Sequence, residues 1–257
     1  MRIDRTGETK INNFGSEMII TEYKNARNIT VFFPKYNYTV QNIEYNNFKK
    51  GNVKCPYEPR QCNVGYIGEG LYKAVDENKI KTRYYNIWSK MLQRCYFYND
   101  NNRNYSYKEC TVCDEWLNFQ NFAKWYEENY YEIPGEKMTI DKDILIKGNK
   151  IYSPDTCLVV PERINLLFTK RYNERGKLPI GVRISSKNGK YEARCNVFDG
   201  KKSKTKYLGY YNTSEEAFAA YKTFKENQIK QIADKYKDLI PERLYNAMYE
   251  YEVEITD

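Results

Sequence analysis

The last third of the chain holds the feature that most narrows its possible folds. Three stretches alternate apolar and polar side chains, and a helix-opening signal follows them. Val182-Arg183-Ile184-Ser185, Tyr191 to Val197 and Thr205 to Leu208 each repeat with period two, the pattern of a strand with one face covered. Thr213-Ser214-Glu215-Glu216 is a capping box, in which the first hydroxyl and the last carboxylate satisfy each other's backbone N–H groups. Ala217, Ala220, Tyr221 and Phe224 then share one helical face. Three antiparallel strands covered by that helix form the unit predicted here. With Val182, Ile184, Ala193, Cys195 and Leu208 turned towards the helix, the opposite face displays Arg183, Ser185, Arg194, Asn196, Thr205 and Tyr207.

Charge is concentrated in the same place. The 257-residue chain has a formal net charge of +8, yet residues 170–206 alone carry 12 Lys/Arg against 3 Asp/Glu, a local net of +9. The remainder is close to neutral, which points to a polyanion footprint on this segment; a solvated basic linker and loop is the plainer alternative. Arg can bind guanine bidentately and Asn can do the same with adenine. Lys187, Lys190, Lys202 and Lys204 fall in the expected hairpin turns, where they would meet phosphates.

Ile180-Gly181-Val182-Arg183, Gly189-Lys190-Tyr191-Glu192-Ala193, Tyr207-Leu208-Gly209 and Thr213 to Ala217 stand in the order and spacing of the Apetala-type (plant ethylene-response-factor) DNA-binding domain. Residues 178 to about 236 resemble that family. The resemblance implies that the three-stranded sheet lies in the major groove of double-stranded DNA. Arg194 stands where the family commonly has glutamate, so its base preference does not transfer.

Upstream, the chain reads as an α+β multidomain protein. Residues 1–75 form a small β-rich module, in which Met18–Tyr23 and Ile29–Phe33 are strand-like around the turn-forming Lys24–Asn28, and Tyr45–Phe48 and Val53–Pro56 are further short strands. This module could be a docking unit or a nucleic-acid accessory. Residues 76–168 begin with helices: Trp88, Met91, Leu92 and Cys95 share one face, as do Trp116, Phe119, Phe122, Ala123 and Tyr126 on a helix to about Tyr130. Aromatic stripes of this kind are read as core. Two short strands, Met138–Ile140 and Cys157–Val160, precede a helix from Glu162 to Phe168. A basic linker, 169–177, leads to the C-terminal domain, 178–257.

Trp88, Arg94-Cys95-Tyr96, Cys113 to Trp116, Ile140-Asp141-Lys142-Asp143, Tyr152 to Cys157 and Ile164-Asn165 resemble the HNH, or ββα-metal, endonucleases of phages. That resemblance implies a metal-dependent, homing-type DNA endonuclease, with Asp141 and Asn165 as ligands of Mg or Mn, oxygen-ligated ions. Lys142 occupies the position of the family's histidine base. A lysine beside Asp141 and Asp143 is poorly placed to lose its proton, so phosphate holding is its other expected role. A non-catalytic DNA-binding protein, a phage regulator or an inhibitor of a host system, is the competing reading.

Several chemistries are excluded. The chain contains no histidine, so Ser-His triads, His-ligated zinc and histidine bases are ruled out. No Walker loop is present, and Gly65-Tyr66-Ile67-Gly68-Glu69-Gly70 has the glycines but not the spacing of a phosphate loop, so it is read as a turn. Cys110-Thr111-Val112-Cys113 has zinc-knuckle spacing, and Cys95 and Cys157 could complete a structural zinc site; small buried hydrophobes are the alternative. Seven cysteines and no apolar leader at Met1-Arg2-Ile3-Asp4-Arg5 suggest reduced thiols in the cytoplasm, the host's if the chain is phage-encoded. No run approaches a membrane span.

Overall fold

A computed structural model describes residues 4–97, 107, 109–170, 177–198 and 203–257. In chain order its elements begin with β1 (Thr9–Ile11), β2 (Glu17–Asn25), β3 (Asn28–Phe33), β4 (Tyr38–Ile43), α1 (Tyr45–Lys49) and α2 (Arg83–Tyr96). The middle of the chain supplies β5 (Thr111–Val112), α3 (Asp114–Leu117), α4 (Phe119–Asn129), β6 (Met138–Asp141), β7 (Ile151–Tyr152), β8 (Leu158–Pro161) and α5 (Glu162–Asn165). The last part supplies β9 (Val182–Ile184), β10 (Tyr191–Phe198), β11 (Ser203–Tyr211), α6 (Ser214–Tyr236) and α7 (Glu242–Tyr249). The protein is thus of mixed α+β class, with sheets near both ends. Among the described residues, no helix is long and apolar enough to cross a membrane.

The chain divides into two units, Met1–Tyr130 with Lys150–Asp155, and Tyr131–Asn149 with Thr156–Asp257. The division falls inside the segment 76–168, not at either of its ends.

In the first unit, β1 to β4 form an antiparallel meander in sequence order. Met18 and Ile20 of β2 and Ile29, Val31 and Phe33 of β3 are fully buried and pack with Phe48, Val53 and Cys55, so alternation correctly placed these strands. Tyr45–Phe48 is not a strand but the start of α1. Tyr45 and Phe48 stack with 6.2 Å between their centroids, and this spacing of three suits a helical turn better than a pleat. Val53–Pro56 is not a strand either; Val53 and Cys55 are buried by the meander without joining it.

The expected helix through Trp116 is two helices. Asn118 interrupts it and caps α4 by accepting from the Gln120 N–H at 3.0 Å. The aromatic stripes are core: Trp88, Trp116, Phe119 and Phe122 are fully buried, and Trp88 Nε1 donates to the Trp116 carbonyl at 2.7 Å. Gln120 also organises the glycine-rich loop. Its Nε2 donates to the Ile67 and Tyr72 carbonyls, and its Oε1 accepts from the Tyr72 N–H at 3.0 Å. A Cβ on Gly70 would lie 2.3 Å from that Oε1, so the glycine is there for close approach.

The second unit is organised by α6. Its 23 residues extend about 35 Å at 1.5 Å per residue. The first turns carry Ala217, Phe218 and Tyr221 against Val182, Ala193 and Cys195 of the C-terminal sheet. Further along, Ile229 and Ala233 pack with Ile144, Leu158, Val160 and Ile164 of the β6–β8 hairpin region, and with Leu244 and Met248 of α7. One helix therefore contributes to two cores. The capping box that opens it is formed in full, with Glu216 N–H donating to Thr213 Oγ1 at 3.2 Å and Glu216 Oε2 accepting from the Thr213 N–H at 3.3 Å. Gly181 (φ +78°) lets the chain pass directly over Tyr221, where a Cβ would come within 2.1 Å of the ring.

The tail after α7 returns along α6. Glu226 accepts from the Val253 N–H at 2.8 Å, and Lys222 Nζ donates to the Val253 carbonyl at 2.9 Å. Asp257 ends in a buried clasp with Lys170 (2.8 Å) and Lys147 (2.9 Å). Burial pushes the Asp257 carboxyl up, but the two ammonium groups outweigh it and hold its pKa below the usual aspartate value.

Candidate functional site

β9, β10 and β11 form an antiparallel sheet in the order β11–β10–β9. Its inner face carries Val182, Ala193 and Cys195, with Leu208 partly buried against them. On its outer face Glu192 lies opposite Arg183 of β9 and Tyr210 of β11, Arg194 opposite Tyr207, and Asn196 opposite Thr205. Directly opposed side chains on one face lie close enough to interact. Thr205 Oγ1 donates to Asn196 Oδ1 at 3.0 Å, and the Tyr207 and Tyr210 rings meet edge-on at 5.1 Å.

Tyr207 and Tyr210 are three residues apart and would face opposite ways on a regular strand. The register shift at Ala193/Arg194, where Gly209 and Tyr207 are the partners, inserts Leu208 as an extra residue and returns both rings to one face.

The chemistry of this face centres on Glu192. Arg183 Nε donates to one carboxylate oxygen at 3.1 Å, and Arg194 Nε donates to the other. The Glu192 side chain is 2% exposed, against 54% for Arg183 and 36% for Arg194. Burial opposes its charge, yet hydrogen bonds from Arg194 and Arg183 prevail and keep its pKa below the usual glutamate value. No described residue accepts from the Nη atoms of either arginine. Both side chains remain partly exposed with Nε held on Glu192.

Arg183, Arg194, Asn196, Thr205 and Tyr207 are brought together as expected on one face. Ser185 is not: it is buried at 3%. β9 ends at Ile184, and Ser185 begins the turn, its N–H bonded to the Lys190 carbonyl at 2.9 Å. Ile184, the last residue of β9, stays on the inner side opposite Tyr191, but it is 58% exposed instead of packed on α6. Lys187 and Lys190 are exposed in that turn, and Lys204 is exposed on β11; Lys202 lies outside the described residues. Sequence reasoning did not single out Glu192 or Tyr210. Glu192 could have been found by its spacing of two from Arg194, whereas Tyr210 needed the bulge.

The second candidate site lies at the end of β6. Asp141 pairs with Leu158 of β8, and β8 runs directly into α5, whose last residue, Asn165, is half-buried. Asp141 Oδ1 accepts from the Asp143 and Ile144 N–H groups at 2.8 and 2.7 Å, and its other oxygen accepts no hydrogen bond from a described residue. Burial first, then the Asp143 carboxylate, push the Asp141 carboxyl up to about 6, against the pull of the two N–H groups and Lys142.

Lys142 is buried in the loop that follows. Its Nζ donates to the Asn149 carbonyl at 3.0 Å and pairs with Asp143 at 3.3 Å, while Asn149 Nδ2 donates to the Lys142 carbonyl at 2.6 Å. That reciprocal bond makes Lys142 the closure of its own loop.

Among the described residues, no three His, Cys, Asp or Glu side chains gather into a metal-ligating group. Cys95, Cys110 and Cys157 are buried and Cys113 is half-buried, and none of them is in a disulfide. Burial raises the Cys113 pKa above the usual thiol value. Asp141 offers a carboxylate and Asn165 an amide, oxygen donors of the kind a hydrated magnesium-type ion takes.

The chain matches no protein-family model, no curated protein and no solved structure. The functional reading rests on these two sites.

Proposed function

We propose that this protein binds double-stranded DNA through the outer face of β9, β10 and β11. One observation carries the reading: two partly exposed arginines are anchored through Nε on a shared buried glutamate, on the face that also carries Asn196, Thr205 and Tyr207. Arginines in this pose are preorganised for base edges, and the exposed lysines of the adjoining turn suit phosphates. The surrounding local charge of +9 favours any polyanion, but a planar bidentate arrangement favours base edges. The test is equilibrium binding of the full chain to random-sequence duplex between about 50 and 200 mM salt. Binding that weakens about tenfold or more across that range is expected, as condensed counterions are released. No binding at the low-salt end removes this reading.

A second reading is favoured by the arrangement around Asp141: a buried strand-end carboxylate in a hairpin that leads straight into the helix bearing Asn165. In this reading the protein is a metal-dependent DNA endonuclease of the homing type. A Mg or Mn ion held by Asp141 and Asn165 would stabilise the leaving oxygen of a phosphodiester. Asp141 supplies the charge and Asn165 a neutral oxygen, and the pinned loop keeps the carboxylate still. Lys142 closes the loop and is not assigned as a base, and among the described residues none is assigned that role.

Titrating the protein with Mn and following thermal unfolding should raise Tm in the wild type and not in Asp141→Asn, because a ligand that binds only the native state stabilises it. Supercoiled plasmid with Mn, incubated in parallel, should be nicked by the wild type only. A wild type whose Tm ignores Mn and that leaves plasmid intact leaves DNA binding as the whole function.

A further inference from the structure

Glu192 presents a problem in electrostatics. A carboxylate on a face that meets a polyanion weakens binding, since it cancels one of the two arginines it touches. Its own contact with a base can be set aside: both oxygens are occupied, and at 2% exposed it cannot reach past the arginines. Its effect must pass through Arg183 and Arg194.

We propose that Glu192 is the specificity-determining residue of this face, a positioning residue that trades general DNA affinity for base discrimination. The inference rests on the DNA-binding reading above. Arginine side chains carry about 2 kcal/mol of rotamer entropy, and an unanchored guanidinium settles on whichever phosphate is nearest. With Nε fixed on Glu192, each guanidinium is held over the sheet and turned end-on, so that good contact is made only where a guanine edge lies opposite. Arg183 comes from β9 across the sheet and Arg194 from two residues along the same strand. The single carboxylate therefore also sets their separation, and with it the spacing of the bases they read. The carboxylate acts as a repulsive element as well: its charge beneath the arginines cancels part of their attraction for a phosphate, which penalises the non-specific pose.

The experiment uses the full chain. A preferred duplex is selected from a randomised library with the wild type, and its dissociation constant is compared with that of random duplex, across a salt series, for the wild type, Glu192→Gln and Glu192→Asp. Glu192→Gln removes the charge and can accept from only one arginine. It is expected to bind random duplex several-fold more tightly, with a steeper salt dependence, and to lose about tenfold or more of the ratio between preferred and random duplex. Glu192→Asp keeps the charge but is too short to hold both arginines; it should keep the wild-type salt dependence and still lose discrimination. Unfolding curves of the free proteins accompany the binding data.

Glu192→Gln that discriminates as well as the wild type overturns the proposal. So does an equal loss of affinity for both duplexes together with a lowered Tm, which would make Glu192 a purely structural residue. A wild type that binds no duplex overturns instead the DNA-binding reading on which the proposal stands, so the two failures are distinguishable.

Discussion

Replacing Arg183 and Arg194 together with alanine is expected to lower affinity for the preferred duplex by roughly a hundredfold or more. Each bidentate contact to a base is worth about 1–3 kcal/mol, and 1.4 kcal/mol is about tenfold in affinity. The two losses need not add, because the arginines share Glu192. The double variant also uncovers a carboxylate that the arginines had neutralised, so repulsion of phosphate adds to the missing contacts. Random duplex should be affected less, since the lysines of the β9–β10 turn remain. Lys187→Ala provides the contrast: it is exposed in that turn, and its loss should weaken all sequences alike. Competition binding with preferred and random duplex measures both effects. If the double alanine variant reduced the two affinities by the same factor, the arginines would be phosphate contacts, and the face would not read bases.

The second large effect is expected in stability. Ile229 is fully buried on α6, in the core that the helix shares with the β6–β8 hairpin region and α7. Truncation to alanine should cost about 2–5 kcal/mol, from lost transfer free energy and the cavity left behind. For a unit of this size the melting temperature should fall by roughly 10 °C or more. Because Ala217, Phe218 and Tyr221 of the same helix hold the C-terminal sheet, the loss should appear in both parts of the second unit as one transition. Thermal unfolding followed by near-UV circular dichroism, beside an exposed-position control such as Ala219→Ser, tests this. A shift of only a degree or two, or separate transitions for the hairpin and the sheet, would mean that α6 does not couple the two cores. A related consequence concerns truncation at residue 169, the boundary suggested by the basic linker. Such a fragment would lack Ile133, Ile144, Leu158, Val160 and Ile164, and so expose Ile229 and Ala233.

Much of the local architecture was legible. Period-two alternation located β2, β3, β9, β10 and β11, and helical spacing picked out Trp88, Met91, Leu92, Phe119 and Phe122 as core. The capping box marked the start of α6 to the residue. These signals work because they are short-range: a strand or a helix turn places neighbouring side chains by its own geometry. The failures occur where an element ends. Alternation carried past Ile184 assigned Ser185 to the outer face, since no pattern in four residues marks where β9 stops. Tyr45–Phe48 contains β-favouring residues but forms a helical turn, because four residues carry too little periodicity to separate the two.

The candidate sites divide in the same way. The sequence by itself determined that histidine chemistry is absent, that basic charge gathers in residues 170–206, and that Arg183, Arg194, Asn196, Thr205 and Tyr207 share a face. Composition and side-chain period suffice for each of these. Only the tertiary structure decided that Glu192 joins Arg183 and Arg194, since that contact depends on strand register, and that Tyr210 joins Tyr207, since that depends on one extra residue in β11. Tertiary structure likewise put Lys142 inside its loop, where a reciprocal bond with Asn149 offsets the desolvation of a charge that sequence alone would leave in water. It also grouped the Asp141 hairpin with the C-terminal sheet rather than with the helices that precede it in the chain. The physical reason is that the hairpin's apolar side chains find their partners on α6, more than sixty residues away, and burial of apolar surface depends on proximity in space and not along the chain.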